Sequence, residues 1–191
     1  MKSKFFGKLL ILTVLVSILP GLFAQDRRTI PLDVYLVIDG SSALESSKTD
    51  VVSWINQELV DRILADGDKI TVWNAGDQAR IIYSDTVSSS GKNALKDRIK
   101  DINTQGRSAD FSGALRDVSS RVTQTPADRI SYTLLITASA EVMEPALSGS
   151  SQNLFRWFRS EKYERWQVLV LAPDIGEKVR QNAQAYMRSI Q

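Results

Sequence analysis

The chain has 191 residues, 24 of them Lys or Arg and 22 Asp or Glu, with neither cysteine nor histidine. Disulfides, thiolate zinc sites, thiol nucleophiles and imidazole bases or ligands are therefore excluded, so any catalysis would rest on carboxylates, hydroxyls, Lys or Arg. The length suits one domain, and the ordinary apolar and charged fractions suit a globular one.

The N-terminus has the layout of an export signal. Lys2, Lys4 and Lys8 precede the apolar run "LLILTVLVSIL", Pro20-Gly21 breaks it, and "LFA" leads to Gln25. The run is shorter than the ~20 residues of a comfortable spanning helix. Residues 1–24 are therefore expected to be a signal peptide cleaved after Ala24, with retention as an N-terminal anchor as the alternative. Three of the basic residues lie in 1–24, which holds no acid. The rest of the chain carries 21 basic against 22 acidic residues, net −1. Nothing in that balance invites nucleic acid, and membrane contact is expected only if the signal is kept.

Beyond residue 30 strands and helices alternate. "VYLVID" (34–39) is a continuous apolar run, as in a strand buried on both faces. Val52, Ile55, Leu59 and Ile63, widened by Val51 and Leu64, form a helical stripe, with Asp66-Gly67 as its stop. "KITVWNAG" and "ARIIYS" are strands separated by Gly76-Asp77-Gln78, the one connection short enough for an antiparallel hairpin. Ser90 is the expected cap of a helix carrying Leu95, Ile99 and Ile102. Phe111, Leu115, Val118 and Val122 mark a helix that stops near Pro126. "SYTLLITA" and "QVLVLA" are further buried strands. "SQNLFRWFRSEKYERW" (151–166) reads as a helix, and Val179, Ala183, Tyr186 and Ile190 share a face of the last one.

This alternation predicts a doubly wound, mostly parallel sheet of about five strands, order 3-2-1-4-5, with the third antiparallel at the edge and helices on both faces. Ligands of such sheets bind beyond the carboxyl ends of the strands, where the strand order reverses. That places the candidate crevice between the first strand, ending at Asp39, and the fourth, ending near Ala138.

Three segments there, "VYLVIDGSSAL", "GRSADFSGALRDV" and "YTLLITASAE", resemble the metal-site segments of von Willebrand factor type A (VWA) domains, with the similarity running over about residues 32–190. The resemblance implies a VWA fold and a crevice in which Asp-x-Ser-x-Ser, a Thr and an Asp hold a magnesium-type ion that takes a ligand carboxylate. Asp39 and Ser41 match the first two positions. Ala43 stands for the second Ser, Ala109 for the Thr in "ADFSGAL" and Ala138 for the Asp in "ITAS", so three oxygen donors have become methyl groups. Ser108 would substitute only through a one-residue slip of its loop, and Asp110, Ser139 or Glu141 only in a geometry foreign to the family. Magnesium demands near-octahedral oxygen coordination, and two groups on one loop are a poor chelate.

No metal and no other cofactor is therefore expected, with Mg2+ or Mn2+ as the alternative. The residual crevice would comprise Asp39, Ser41, Ser42, Ser108 and Asp110. The plainer reading makes "DGSSA" a turn, with Asp39 accepting from the amides of Gly40 to Ser42 and Asp110 capping the helix at Phe111. Trp157 is the candidate for an exposed interface residue, against a reading in which Leu154, Phe155 and Phe158 face the sheet. One helix after "QVLVLA" implies a C-terminally shortened domain, without the last-helix movement that couples to the metal in the family. The expected function is a non-enzymatic protein-interaction module, periplasmic or secreted, whose partner is an unidentified protein in the cell envelope or outside the cell. The alternatives are a divalent-cation-dependent adhesion domain binding an acidic ligand and an N-terminally anchored envelope assembly factor.

Overall fold

The computed structural model describes residues 28–138 and 166–171. The signal segment, Ser139, Glu141, the helix proposed for 151–166 with Trp157, and the last helix lie outside them.

Strand β1 (Leu32–Asp39) is buried at every position, as its uninterrupted apolar run requires. It is followed by a 3-10 turn at Ser42–Ser47, helix α1 (Lys48–Trp54) and a π-helix (Ile55–Ile63). Next come β2 (Lys69–Ala75), β3 (Ala79–Thr86), α2 (Lys92–Lys100), α3 (Phe111–Val122), β4 (Ile130–Ile136) and β5 (Trp166–Leu171). The sheet order is β3-β2-β1-β4-β5. β1 pairs in parallel with β2 and β4, β4 with β5, and β3 runs antiparallel to β2. The predicted order and the adjacency of the first and fourth strands both hold.

The side chains of β1 divide by parity. Leu32, Val34, Leu36 and Ile38 pack with Ile55, Leu59, Ile63, Leu95 and Ile99 on one face. Tyr35 and Val37 pack with Trp73, Phe111, Leu115 and Val118 on the other. Helix α3 is further tied to β2 by the Trp73 indole N–H, which donates to Asp117 Oδ2 at 3.1 Å, and by Arg121 stacked 5.4 Å over the Trp73 ring.

Three local expectations need correction. The helical segment after β1 ends at Ile63, where Leu64 turns extended (ψ 128°), three residues before Asp66. Gly67 serves the following tight turn instead, at φ 93°, a conformation that costs a residue with a Cβ. Ser90 is not the cap of α2: Gly91 holds that position, and its N–H is taken by Ser88 Oγ at 3.1 Å. Trp166 belongs to the backbone of β5, paired with Ser131, rather than to a helix.

Candidate functional site

The carboxyl ends of β1 and β2, the start of the connection after β4 and the loop before α3 meet at one edge of the sheet. The loops there are joined by backbone hydrogen bonds. Gly40 N–H donates to Ala75 O (2.8 Å), Gly106 N–H to Gly40 O (2.9 Å), Ser42 N–H to Gly106 O (2.8 Å) and Asp110 N–H to Gly76 O (2.9 Å). The approach is close enough to require glycine at position 40. A Cβ there would lie 2.6 Å from Asn74 Nδ2 and 2.8 Å from Gly76 N, a clash that only backbone movement relieves.

Asp39 sits at the base of this crevice, fully buried. Oδ1 accepts the Ser41 N–H at 2.8 Å, and Oδ2 accepts the Ala138 N–H at 3.0 Å and the Thr137 hydroxyl at 3.4 Å. Of the three loop amides expected on this carboxylate only that of Ser41 is there. Those of Gly40 and Ser42 serve backbone carbonyls, and the other two donors come from the end of β4. A buried carboxylate is costly unless hydrogen-bonded, and these three donors meet that need without a side-chain cation.

The remaining candidates separate. Ser41 lies beside Asp39, 4% exposed, and its hydroxyl has no hydrogen-bond partner in the structure. Ser42 and Ala43 are exposed on the rim. Ser108 is exposed and its hydroxyl points to Asp77 Oδ1 (3.3 Å), so no slip of the loop brings it over Asp39. Asp110 caps α3, as its position before Phe111 suggests. Oδ1 accepts the Gly113 N–H at 2.8 Å and Oδ2 the Ala79 N–H at 3.2 Å. Ala109 packs against the apolar cluster around Phe111 and Ala138 against the cluster on the opposite face.

Asp77, in the hairpin turn between β2 and β3, organises the rim. Its Oδ1 accepts the N–H groups of Arg107 (2.9 Å) and Ser108 (3.1 Å). The bond from the Ser108 amide is the main cause holding its carboxyl below the ordinary value of 3.8. Short acidic residues in hairpin turns are so common that nothing in "GDQ" marks this one. On the rim, too, the Thr104 hydroxyl donates to Glu45 and the Asn74 amide to Asn103 O at 2.9 Å.

A magnesium-type ion needs about six oxygens around it. Both oxygens of Asp39 are already directed at N–H and O–H donors, Asp110 is committed to a helix cap, and three positions end in methyl groups. Among the described residues no group of three acidic side chains converges on one point. The described residues do not fit the ion that the resemblance implies. Among the described residues only Ser41, with its buried unpaired hydroxyl, retains the form of a ligand.

A hollow of about 310 Å³ lies at the opposite end of the sheet, lined among others by Asp33, Tyr35, Thr71, Ser84, Arg121 and Thr125. Its polar groups engage one another: Thr71 Oγ1 with Ser84 Oγ at 3.0 Å, the Tyr35 hydroxyl with Thr125 at 3.3 Å, and Thr125 with Asp33 at 3.2 Å. Burial pushes the Tyr35 phenol above its ordinary value.

No protein-family model matches the chain, and no curated protein matches it in sequence. Solved structures do share the fold. Proximal thread matrix protein 1 from the mussel byssus superposes with a TM-score of 0.57 at 16% identity, over 75% of this chain and 37% of that one. The manganese-loaded TRAP protein of Plasmodium vivax gives 0.56 at 16% identity, over 80% of this chain and 62% of that one. A von Willebrand factor type A protein from Catenulispora acidiphila gives 0.48 at 10% identity, over 84% and 43%. The chain spans less than two thirds of each of these structures. Its fold is VWA-like.

Proposed function

We propose that this VWA-like chain is an exported, non-enzymatic protein-interaction module that works without a metal ion. The observation that carries the reading is the Asp39 carboxylate, whose oxygens are taken by the Ser41 and Ala138 amides and the Thr137 hydroxyl. The ion's role of holding the three loops together passes to hydrogen bonds within the chain. The crevice then has no open coordination position for a ligand carboxylate, and its rim of Ser42, Glu45, Arg107 and Ser108 is left as a surface for a protein partner. Export rests on the layout of residues 1–24. Intact mass of the exported chain is expected to place its start at Gln25, and a chain retaining Met1 in the membrane fraction points to the anchored alternative.

Thermal unfolding with millimolar magnesium, manganese or calcium tests the metal-independent reading. An ion that binds only the folded state raises stability by mass action, by about 2.7 kcal/mol at a hundredfold excess over its Kd. The unaltered chain is expected to show no shift. Ala43→Ser, Ala109→Thr and Ala138→Asp together return three oxygen donors and are expected to create one. A second reading, cation-dependent adhesion, draws on the buried, unpartnered Ser41 hydroxyl. Stabilisation of the unaltered chain by magnesium or manganese, abolished by Asp39→Ala, decides for it.

A further inference from the structure

Strand β3 forms one edge of the sheet, and among the described residues no strand pairs with its outer side. An edge of this kind presents a row of backbone N–H and C=O groups that template pairing with another chain. We infer that β3 pairs antiparallel with β3 of a second copy of this chain, about a two-fold axis between Ile82 and Tyr83.

The register follows from which face each side chain takes. Arg80 lies opposite Asn74, Tyr83 opposite Val72 and Asp85 opposite Ile70. Ile70, Val72 and Asn74 alternate along β2 and so share a face. Arg80, Tyr83 and Asp85 therefore share it too, although Arg80 and Asp85 are five residues apart and would fall on opposite faces of a regular strand. The irregularity opposite Val72 and Trp73, where Ile82 has no counterpart on β2, resets the alternation. By the same accounting Ala79, Ile81, Ser84 and Thr86, opposite Ala75, Trp73, Thr71 and Lys69, share the other face.

Residues that oppose one another across an antiparallel pair must lie on the same face. For two copies of β3 related by a two-fold axis, a shift of one residue in either direction sets Ile81 against Tyr83, or Ile82 against Ser84. The first pairing joins opposite faces. In the second, Ile82 packs with Tyr83 against the core cluster on the Val72 face, whereas Ser84 belongs to the other. The register centred between Ile82 and Tyr83 meets the condition along the whole strand. Ala79 then opposes Thr86 of the second copy, Arg80 opposes Asp85, Ile81 opposes Ser84 and Ile82 opposes Tyr83.

Arg80 and Asp85 are the only charged residues of β3, and this register pairs them twice with opposite sign. At the axis, the half-buried Ile82 and Tyr83 of each copy meet those of the other and extend the apolar cluster across the junction. Ile81, 41% exposed in the single chain, gains a neighbour on the second face. A bulge commonly protects an edge by bending it; here it makes the strand self-complementary. The two crevices then open at opposite ends of one continuous sheet, which suits a module that bridges two partners.

Sedimentation equilibrium of the full chain over a concentration series tests the inference. A dimer is expected, and Arg80→Asp or Asp85→Arg alone sets like charges opposite each other and weakens it by about tenfold or more. The double reversal restores opposite pairing and with it the dimer. Both positions are exposed, so the variants keep the fold. The chain has no cysteine, so Ile81→Cys mixed with Ser84→Cys is expected to form a cross-linked dimer on mild oxidation, while neither variant alone does. A monomer at every concentration, or a dimer indifferent to both single reversals, overturns the inference.

Discussion

Strand β1 carries a buried aspartate at each end, and the two are neutralised by different means. At the amino end, Asp33 is paired with Arg129, both side chains about nine-tenths buried, and it also accepts the Thr125 hydroxyl at 3.2 Å. A second such pair, Arg28 with Asp68 at 3.0 Å, lies alongside it, and Asp68 also takes the Leu32 and Ala65 amides. At the carboxyl end, Asp39 is more deeply buried yet meets only amides and a hydroxyl. The amino end brings its own cations. The carboxyl end supplies no side-chain cation among the described residues, and the carboxylate is held by the Ser41 and Ala138 amides and the Thr137 hydroxyl. A buried charge is kept only where its surroundings answer it, and donors on two loops do so here.

The comparison is sharpened by removing the answering groups at each end and measuring stability by denaturant unfolding. Arg129→Ala leaves Asp33 buried without its cation and is expected to cost about 3–5 kcal/mol, the usual effect of breaking a buried ion pair. The loss also removes the guanidinium N–H groups that donate to the carbonyls of Leu32 at 2.6 Å and Gly67 at 3.2 Å. Asp39→Asn removes charge but little volume, and it turns one acceptor into an N–H donor that faces another donor. About 1–3 kcal/mol is expected, the cost of a buried polar group left unsatisfied. A larger loss at Asp39 than at Arg129, or a gain on Asp39→Asn, breaks the contrast between the two ends.

The difference between the ends also marks what was legible in the sequence. The sheet order could be read because buried parallel strands carry continuous apolar runs, and the short link at Gly76–Gln78 permits only a hairpin. Ala43, Ala109 and Ala138 were legible as positions that offer no side-chain oxygen to an ion. The donors that hold Asp39 were not legible. The donors to Asp39 include the backbone N–H of Ala138, and every residue but proline offers a backbone N–H. Thr137 reads as one more β-branched strand residue. The bulge in β3 was equally hidden, since "ARIIYSDT" alternates too loosely to show where one residue is extra. The ion pair of Asp33 with Arg129 joins residues 96 apart, and nothing local foretells such a meeting.

The smallest expected effect lies on the rim, where the two ends can be compared by charge alone. Asp77 is exposed and its carboxyl is held below the ordinary 3.8, chiefly by the Ser108 amide and further by the Arg107 amide and the Ser108 hydroxyl. A carboxyl whose value is lower in the folded than in the unfolded chain binds fewer protons when folded at acid pH. Its contribution to stability is therefore complete above the ordinary carboxylate value and is lost as pH falls through the folded value. Asp77→Asn keeps an oxygen to accept from Arg107 and Ser108 but removes the charge. The variant is expected to unfold at a slightly lower temperature than the unaltered chain at neutral pH. The gap should narrow as pH falls through the lowered folded value of Asp77, below which the unaltered residue is itself neutral. Solvent screening keeps the effect small. A gap that stays constant from neutral to acid pH assigns the role of Asp77 to shape rather than charge, and removes the rim from the comparison between an end answered by cations and an end answered by amides.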